Sequence, residues 1–307
     1  MKSKKIIIGS RGSKLALIYA EKAKEKILEV SREFNIESIE IKEITTAGDL
    51  NQKDRLSEIG GKGLFSKKIE KELLENKIDI AVHALKDMPS NETGGLQTNC
   101  FLQRNDPREV LISKNKIKFN NLNKNSIVGT SSFRREFQLK NKRNDLNYKL
   151  IRGNVDTRIN KLNRNLYDAI ILSLAGISCL DLNEHITEIF STEQIIPSVG
   201  QGVIAIQCKS DDKDIEKILQ KINHETTFKC VQAERNVLKV LEGDCQTAVG
   251  AISLIKENNI TLEAELFSLD GRERFYCKSS KDIKYAAELG IEIGENLKKQ
   301  SKGNYKK

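Results

Sequence analysis

The chain has no tryptophan, only three prolines and three histidines in 307 residues, and 5% aromatic content. A nucleic-acid surface needs basic side chains interleaved with stacking rings. With so few rings, and with no helix-turn-helix or RNA-binding signature, nucleic acid is not an expected partner. No run approaches the roughly 18 apolar residues of a membrane span, so no membrane association is expected either. The start, "MKSKKIIIGS", has three consecutive apolar residues and reads as a first strand rather than a secretion signal. A cytoplasmic location is therefore the expectation. Among the six cysteines, Cys100, Cys179, Cys208, Cys230, Cys245 and Cys277, there is no C-x-x-C pair. The histidines, His83, His185 and His224, are scattered, so zinc and iron–sulfur spacings are missing and no metal is expected. A reducing cytoplasm disfavours a disulfide framework, and most of these thiols read as small buried hydrophobes. Cys245, in the turn "LEGDCQTAVG", stands apart. From the residues alone it could serve packing, metal ligation, disulfide pairing or covalent attachment.

What is present is charge: 52 basic and 43 acidic side chains, a net +9, with 38% hydrophobic and 31% charged residues. That balance is of a soluble globular protein, and the length suggests two or three domains. Many lysines solvate helix faces, as in "EKAKEKILEV". The arginines are more informative, because several fall where a strand gives way to a helix.

Strands alternate with helices through the first two thirds, which predicts an α/β fold. "KIIIG" is a strand, and Ser13 can cap a helix with Leu15, Ile18, Ala23, Ile27 and Val30 on one face. "IESIEIKEIT" alternates, "GGKGLF" opens a helix carrying Ile69, Leu73 and Leu74 inward, and "IDIAVHAL" is a buried strand. The pattern restarts with "SIVGTSS", "YKLIRGNVDTR" and "YDAIILSLAG", and "GVIAIQC" returns as an isolated strand. After about residue 218 come two helical runs, three strands joined by short turns, and a closing helix. The expected architecture is two α/β domains of the periplasmic-binding-protein-like kind, with crossover strands, plus a small α+β domain with a three-stranded antiparallel sheet. The expected boundaries are 1–101 with 197–218, then 102–196, then 219–307.

Three junctions share one design: "GSRGSK", "GTSSFRRE" and "IRGNVDTR" each follow a strand, open a helix and carry arginine. Helix starts bind anions through unsatisfied N–H groups, and arginine adds a planar fork for carboxylates. Phosphate loops of the G-x-x-x-x-G-K-[ST] or G-x-G-x-x-G type are missing, so a polyanion bearing carboxylates is a candidate ligand. "VHALKDMPS" places Lys86 and Asp87 at a strand's end, as a structural ion pair or as an acid–base group.

In order, "GSRGSKLAL", "GGKGLF", "AVHALKDMP", "RNDPRE", "GTSSFRR", "RGNVDTR", "YDAIILSLAG", "SVGQGV" and "EGDCQTAVGA" resemble the motif series of the porphobilinogen deaminases, or hydroxymethylbilane synthases. The resemblance runs from about residue 5 to 275. It implies a transferase of tetrapyrrole (haem) biosynthesis that joins four porphobilinogen molecules head to tail, with loss of four ammonia. It also implies a dipyrromethane cofactor, held through a thioether on Cys245 and built from two substrate molecules. By the same resemblance Asp87 is catalytic, and Lys86, Thr130, Ser131, Ser132, Arg134 and Arg135 surround the cofactor. Arg11, Ser13, Lys62, Phe65, Arg152, Gly153, Arg158 and Gln201 are expected to hold substrate. Each substrate brings an acetate and a propionate, which gives the arginine-bearing junctions a physical reason. Residues 47–63 suit a lid. A monomer that passes its product to a following enzyme is expected.

Three departures stand out: Ala84 where the family commonly has serine, Glu58 where it often has lysine, and Cys179 where it usually has arginine. A reading of another class is a two-lobed solute-binding protein that clamps an anion without chemistry.

Overall fold

The computed structural model describes residues 4–50, 63–243 and 247–306. Along the chain, β1 (Lys4–Ser10), α1 (Lys14–Glu29), β2 (Ile36–Glu43), α2 (Ala47–Leu50), α3 (Lys67–Leu74), β3 (Ile80–Ala84) and β4 (Leu96–Phe101) come first. Then follow β5 (Glu109–Ser113), β6 (Ile127–Gly129), α4 (Phe133–Lys140), β7 (Asn147–Lys149), α5 (Val155–Asn163), β8 (Ala169–Ser173), α6 (Leu174–Cys179) and β9 (Glu188–Ile189). The last third holds β10 (Ile204–Lys209), α7 (Lys213–Ile222), α8 (Glu225–Val240), β11 (Val249–Lys256), β12 (Asn259–Phe267), β13 (Arg274–Asp282) and α9 (Ala286–Ser301).

The described residues fall into two compact units. The first comprises those of Met1–Asn51, Gly61–Asn105 and Val203–Phe228; the second, those of Asp106–Gly202 and Lys229–Lys307. The first unit has one sheet, ordered β2-β1-β3-β10-β4. Here β1 is parallel to β2 and β3, while the returning β10 lies antiparallel between β3 and β4. β3 is central and, His83 apart, apolar, with Ile80 and Ala81 wholly buried. Ser13 caps α1 by accepting from the Ala16 amide. The face of α1 that meets the core is Tyr19, Ala20, Ala23 and Ile27. Leu15 and Ile18, expected on that face, are only half-buried. In α3, Ile69 and Leu73 point inward as expected, but Leu74 is exposed and Glu70 is buried in its place.

The second unit contains a sheet ordered β7-β6-β8-β5-β9. Its pattern repeats the first: β6 is parallel to β7 and β8, and β5 lies antiparallel between β8 and β9. The expected α/β class is borne out, and so is the three-stranded antiparallel sheet β11-β12-β13 near the C-terminus. α9 covers that sheet with Ala286, Leu289, Ile293 and Leu297, spaced three and four apart. It also lies close to α8: a Cβ on Gly290 would sit 2.1 Å from the Ala233 carbonyl oxygen.

Candidate active site

β1 and β3 are parallel neighbours, with Ile8 opposite Ile80 and Gly9 opposite Ala81, so both end at the same edge of the sheet. β1 runs into Arg11, Gly12 and Ser13; β3 runs into the tight turn Leu85–Asp87. Ligands of open α/β sheets collect beyond such strand ends. A cavity partly open to solvent lies there, and its wall includes Arg11, Ser13, Leu15, Phe65, His83 and Asp87. Leu15 is half-buried because it faces this space.

The Arg11 guanidinium lies 3.9 Å from the centre of the Phe65 ring, a cation–π contact. Its Nε and Nη2 donate to Asp49 Oδ1 at 3.1 and 2.5 Å. Asp49 Oδ2 in turn accepts from the Thr46 amide at 3.1 Å and the Thr46 hydroxyl at 2.7 Å. Burial pushes the Asp49 carboxyl up, but the hydrogen bonds from Arg11 and Thr46 outweigh it and hold the group below the usual carboxylate range.

Beneath the cavity lies a buried polar chain. His83 Nε2 is 3.2 Å from Gln207 Oε1, Gln207 Nε2 donates to Glu70 at 3.4 Å, and the Thr93 hydroxyl donates to Glu70 at 2.8 Å. Burial pulls the His83 pKa down, against the opposing pull of Glu70, Gln207 and Asp87. The imidazole is therefore neutral at pH 7. In the cavity wall the Ser66 hydroxyl is buried and makes no hydrogen bond among the described residues.

In the second unit, β6 leads through Thr130 to Ser132, which caps α4 by accepting from the Arg135 amide. Two guanidiniums share one wholly buried carboxylate there. Arg134 Nη2 lies 2.6 Å from Glu109 Oε1, and Arg135 Nη2 lies 2.8 Å from Glu109 Oε2. Arg134 also donates to the Ile196 carbonyl at 2.8 Å, and Arg135 to the Ile171 carbonyl at 3.2 Å. Gln201 joins this group, accepting from Arg135 at 3.5 Å and donating to the Pro107 carbonyl at 2.6 Å. At the head of α5, Gly153 has φ +107°, a conformation that favours glycine. The loop carbonyls there are capped from the helix side: Arg158 Nε donates to Gly153 at 2.7 Å, and Lys161 to Arg152 at 2.9 Å. Arg152 itself is buried.

Lys86 and Ser131 are half-buried at the expected strand-to-helix turns. Lys62 and Cys245, like the departure Glu58, lie outside the described residues, as does most of the expected lid. Cys179 ends α6 and is half-buried. Sequence reasoning had not singled out Asp49, Glu109 or His83. Glu109 did carry a signal, as a charge opening the apolar strand "EVLIS" directly after "RNDPR".

Residues 6–217 match the family model described as "Porphobilinogen deaminase, dipyromethane cofactor binding domain", and residues 228–299 match the C-terminal domain of the same family. The chain is 41% identical over 299 residues to a porphobilinogen deaminase of Staphylococcus carnosus, covering 97% of this chain and 96% of that one. It is also 41% identical over 300 residues to one of Staphylococcus aureus strain Newman, with the same coverage. The chain belongs to the porphobilinogen deaminase family. As a member of that family it is an enzyme, a transferase of porphyrin biosynthesis that uses a dipyrromethane cofactor, rather than a solute-binding protein. Among solved structures it is similar to a probable amino-acid ABC transporter extracellular-binding protein of Bacillus subtilis, at TM-score 0.42 and 16% identity, covering 74% of this chain and 95% of that one.

The residues at the head of α4 suit a carboxylate-bearing cofactor. Arg134, Arg135 and Arg274 stand against Glu109 and Glu265, which leaves one positive charge in excess, and the Nε atoms of Arg134 and Arg135 are buried without a hydrogen-bond partner among the described residues. Thr130 and Ser132 add hydroxyl donors beside them.

Proposed function

We propose that this chain makes hydroxymethylbilane from four porphobilinogen molecules and that Cys245 carries the dipyrromethane through a thioether. What supports this most is one arrangement: Arg11, Ser13 and Asp87 line a single cavity at the ends of adjacent parallel strands. That pairs a carboxylate grip with an acid–base group.

Lys86, Thr130, Ser131, Ser132, Arg134 and Arg135 would hold the cofactor's acetate and propionate groups. When bound, the dipyrromethane supplies the pyrrole carbon at which chain growth starts. Arg11, Ser13, Lys62, Phe65, Arg152, Gly153, Arg158 and Gln201 orient the incoming substrate. Asp87 hydrogen-bonds the aminomethyl nitrogen as ammonia leaves with the C–N electron pair. The same carboxylate faces the positive charge left on the substrate's methylene carbon and pyrrole ring. After the new C–C bond forms, Asp87 takes the pyrrole α-proton. His83, neutral and tied to Gln207, adds no competing charge beside it.

We read the chain as three domains, 1–101 with 197–218, 102–196 and 219–307. We further propose a cytoplasmic monomer that passes its product to a following enzyme. Intact-mass measurement of the natively expressed protein tests the cofactor assignment. The wild type should carry the mass of two pyrrole units and Cys245→Ser should lack it. Active enzyme with the bare polypeptide mass would contradict the assignment.

A further inference from the structure

Arg11 and Phe65 line the cavity with Asp87, whereas Asp49 is not part of that lining. Yet Asp49 takes the Nε and Nη2 edge of the Arg11 fork, at 3.1 and 2.5 Å. Its other oxygen is fixed by both donors of Thr46, which is itself buried. The anchor is built from both ends of one segment. The Gly48 amide donates to the Leu64 carbonyl at 3.2 Å, and a Cβ on Gly48 would lie 2.2 Å from the Phe65 ring. The turn at Thr46–Asp49 therefore packs directly on the ring against which the guanidinium lies.

We propose that Asp49 is a positioning residue of the substrate site: it clasps one edge of Arg11 from outside the cavity, so that the guanidinium stays over Phe65 and ready for a substrate carboxylate. The inference rests on the reading of Arg11 as a substrate-binding residue. One physical reason carries it. A free arginine has several rotatable bonds, and ordering it at the moment of binding costs affinity that a pre-fixed side chain keeps.

The test is a double-mutant cycle on the cofactor-loaded enzyme, with KM and kcat for porphobilinogen measured for Asp49→Asn, Arg11→Lys and the pair. Asp49→Asn should raise KM roughly tenfold and change kcat by less than about threefold, because orientation is lost while the acid–base group is untouched. The double variant should be no worse than Arg11→Lys alone, since Asp49 acts through Arg11. Thr46→Val, which removes one donor to Asp49 and leaves Arg11 intact, should give a smaller rise in KM. Melting temperatures near wild type exclude a merely structural effect. If Arg11→Lys raises KM but Asp49→Asn leaves it unchanged or lowers it, or if the effects add, the positioning role is wrong while the role of Arg11 stands. If neither changes KM, the reading of Arg11 falls and takes this inference with it.

Discussion

Asp87 sits where two independent pieces of backbone meet. The turn Leu85–Asp87 follows β3, and the Leu85 amide is tied to the Val203 carbonyl at 3.0 Å. Its half-buried carboxylate shares the cavity with Arg11 and with His83, which burial keeps neutral. Asp87→Asn keeps the shape and removes the charge and the proton capacity. Turnover should fall by a factor on the order of 100 to 10,000, the usual contribution of a positioned acid–base group. Steady-state ammonia release checks this, and near wild-type turnover would show that Asp87 has been given the wrong role. At this scale the cavity residues were legible because Arg11, Ser13 and Asp87 fall inside short motifs at strand ends. Asp49 and Glu109 were not. Each acts through a partner far away in sequence, Arg11 for the one and Arg134 and Arg135 for the other, and no local pattern announces such a pairing.

Elements set the geometry of the site through strand order. Because β1 and β3 run parallel side by side, "GSRGS" and "ALKD", some seventy residues apart, meet at one sheet edge. The repeated order of the two five-stranded sheets depends on β10 and β5, each lying antiparallel between two other strands. "GVIAIQC" could be read as β10 from its apolar run. β4 and β5 escaped notice: "LQTNCF" is half polar, and "EVLIS" opens on a charge directly after the polar run "RNDPR". The α8–α9 contact was equally hidden, since glycine in a helix reads as a weakness until its neighbour is seen. Gly290→Ala would push a methyl group to 2.1 Å from the Ala233 carbonyl oxygen. It should cost about 1–3 kcal/mol, as overpacking does, and lower the denaturation midpoint. Gly94→Ala, where nothing lies within 4 Å, should leave that midpoint unchanged or slightly raised. Equal midpoints for the two variants would refute the close packing of α8 and α9.

The whole molecule carries a net charge of +9, while each porphobilinogen delivers two carboxylates. Most of the surplus lysines are ordinary helix solvation. The arginines proposed to bind carboxylates are placed individually, one against Asp49 and Phe65, two around Glu109, and two at the head of α5. None of the described helices is long and apolar enough to cross a membrane, and the described residues contain no group of His, Cys, Asp or Glu able to hold a metal ion. The proposed chemistry needs carboxylate recognition and proton transfer, for which Arg11 and Asp87, in the wall of one cavity, are the groups we propose. The most direct test supplies the purified, cofactor-loaded protein with porphobilinogen and follows two quantities together: ammonia released per linear tetrapyrrole formed, and the intact mass of the protein during turnover. Four ammonia per product, with a mass ladder rising in single substrate increments above the two-pyrrole base, is the predicted result. Porphobilinogen bound and returned unchanged, with no ammonia and no ladder, would contradict it.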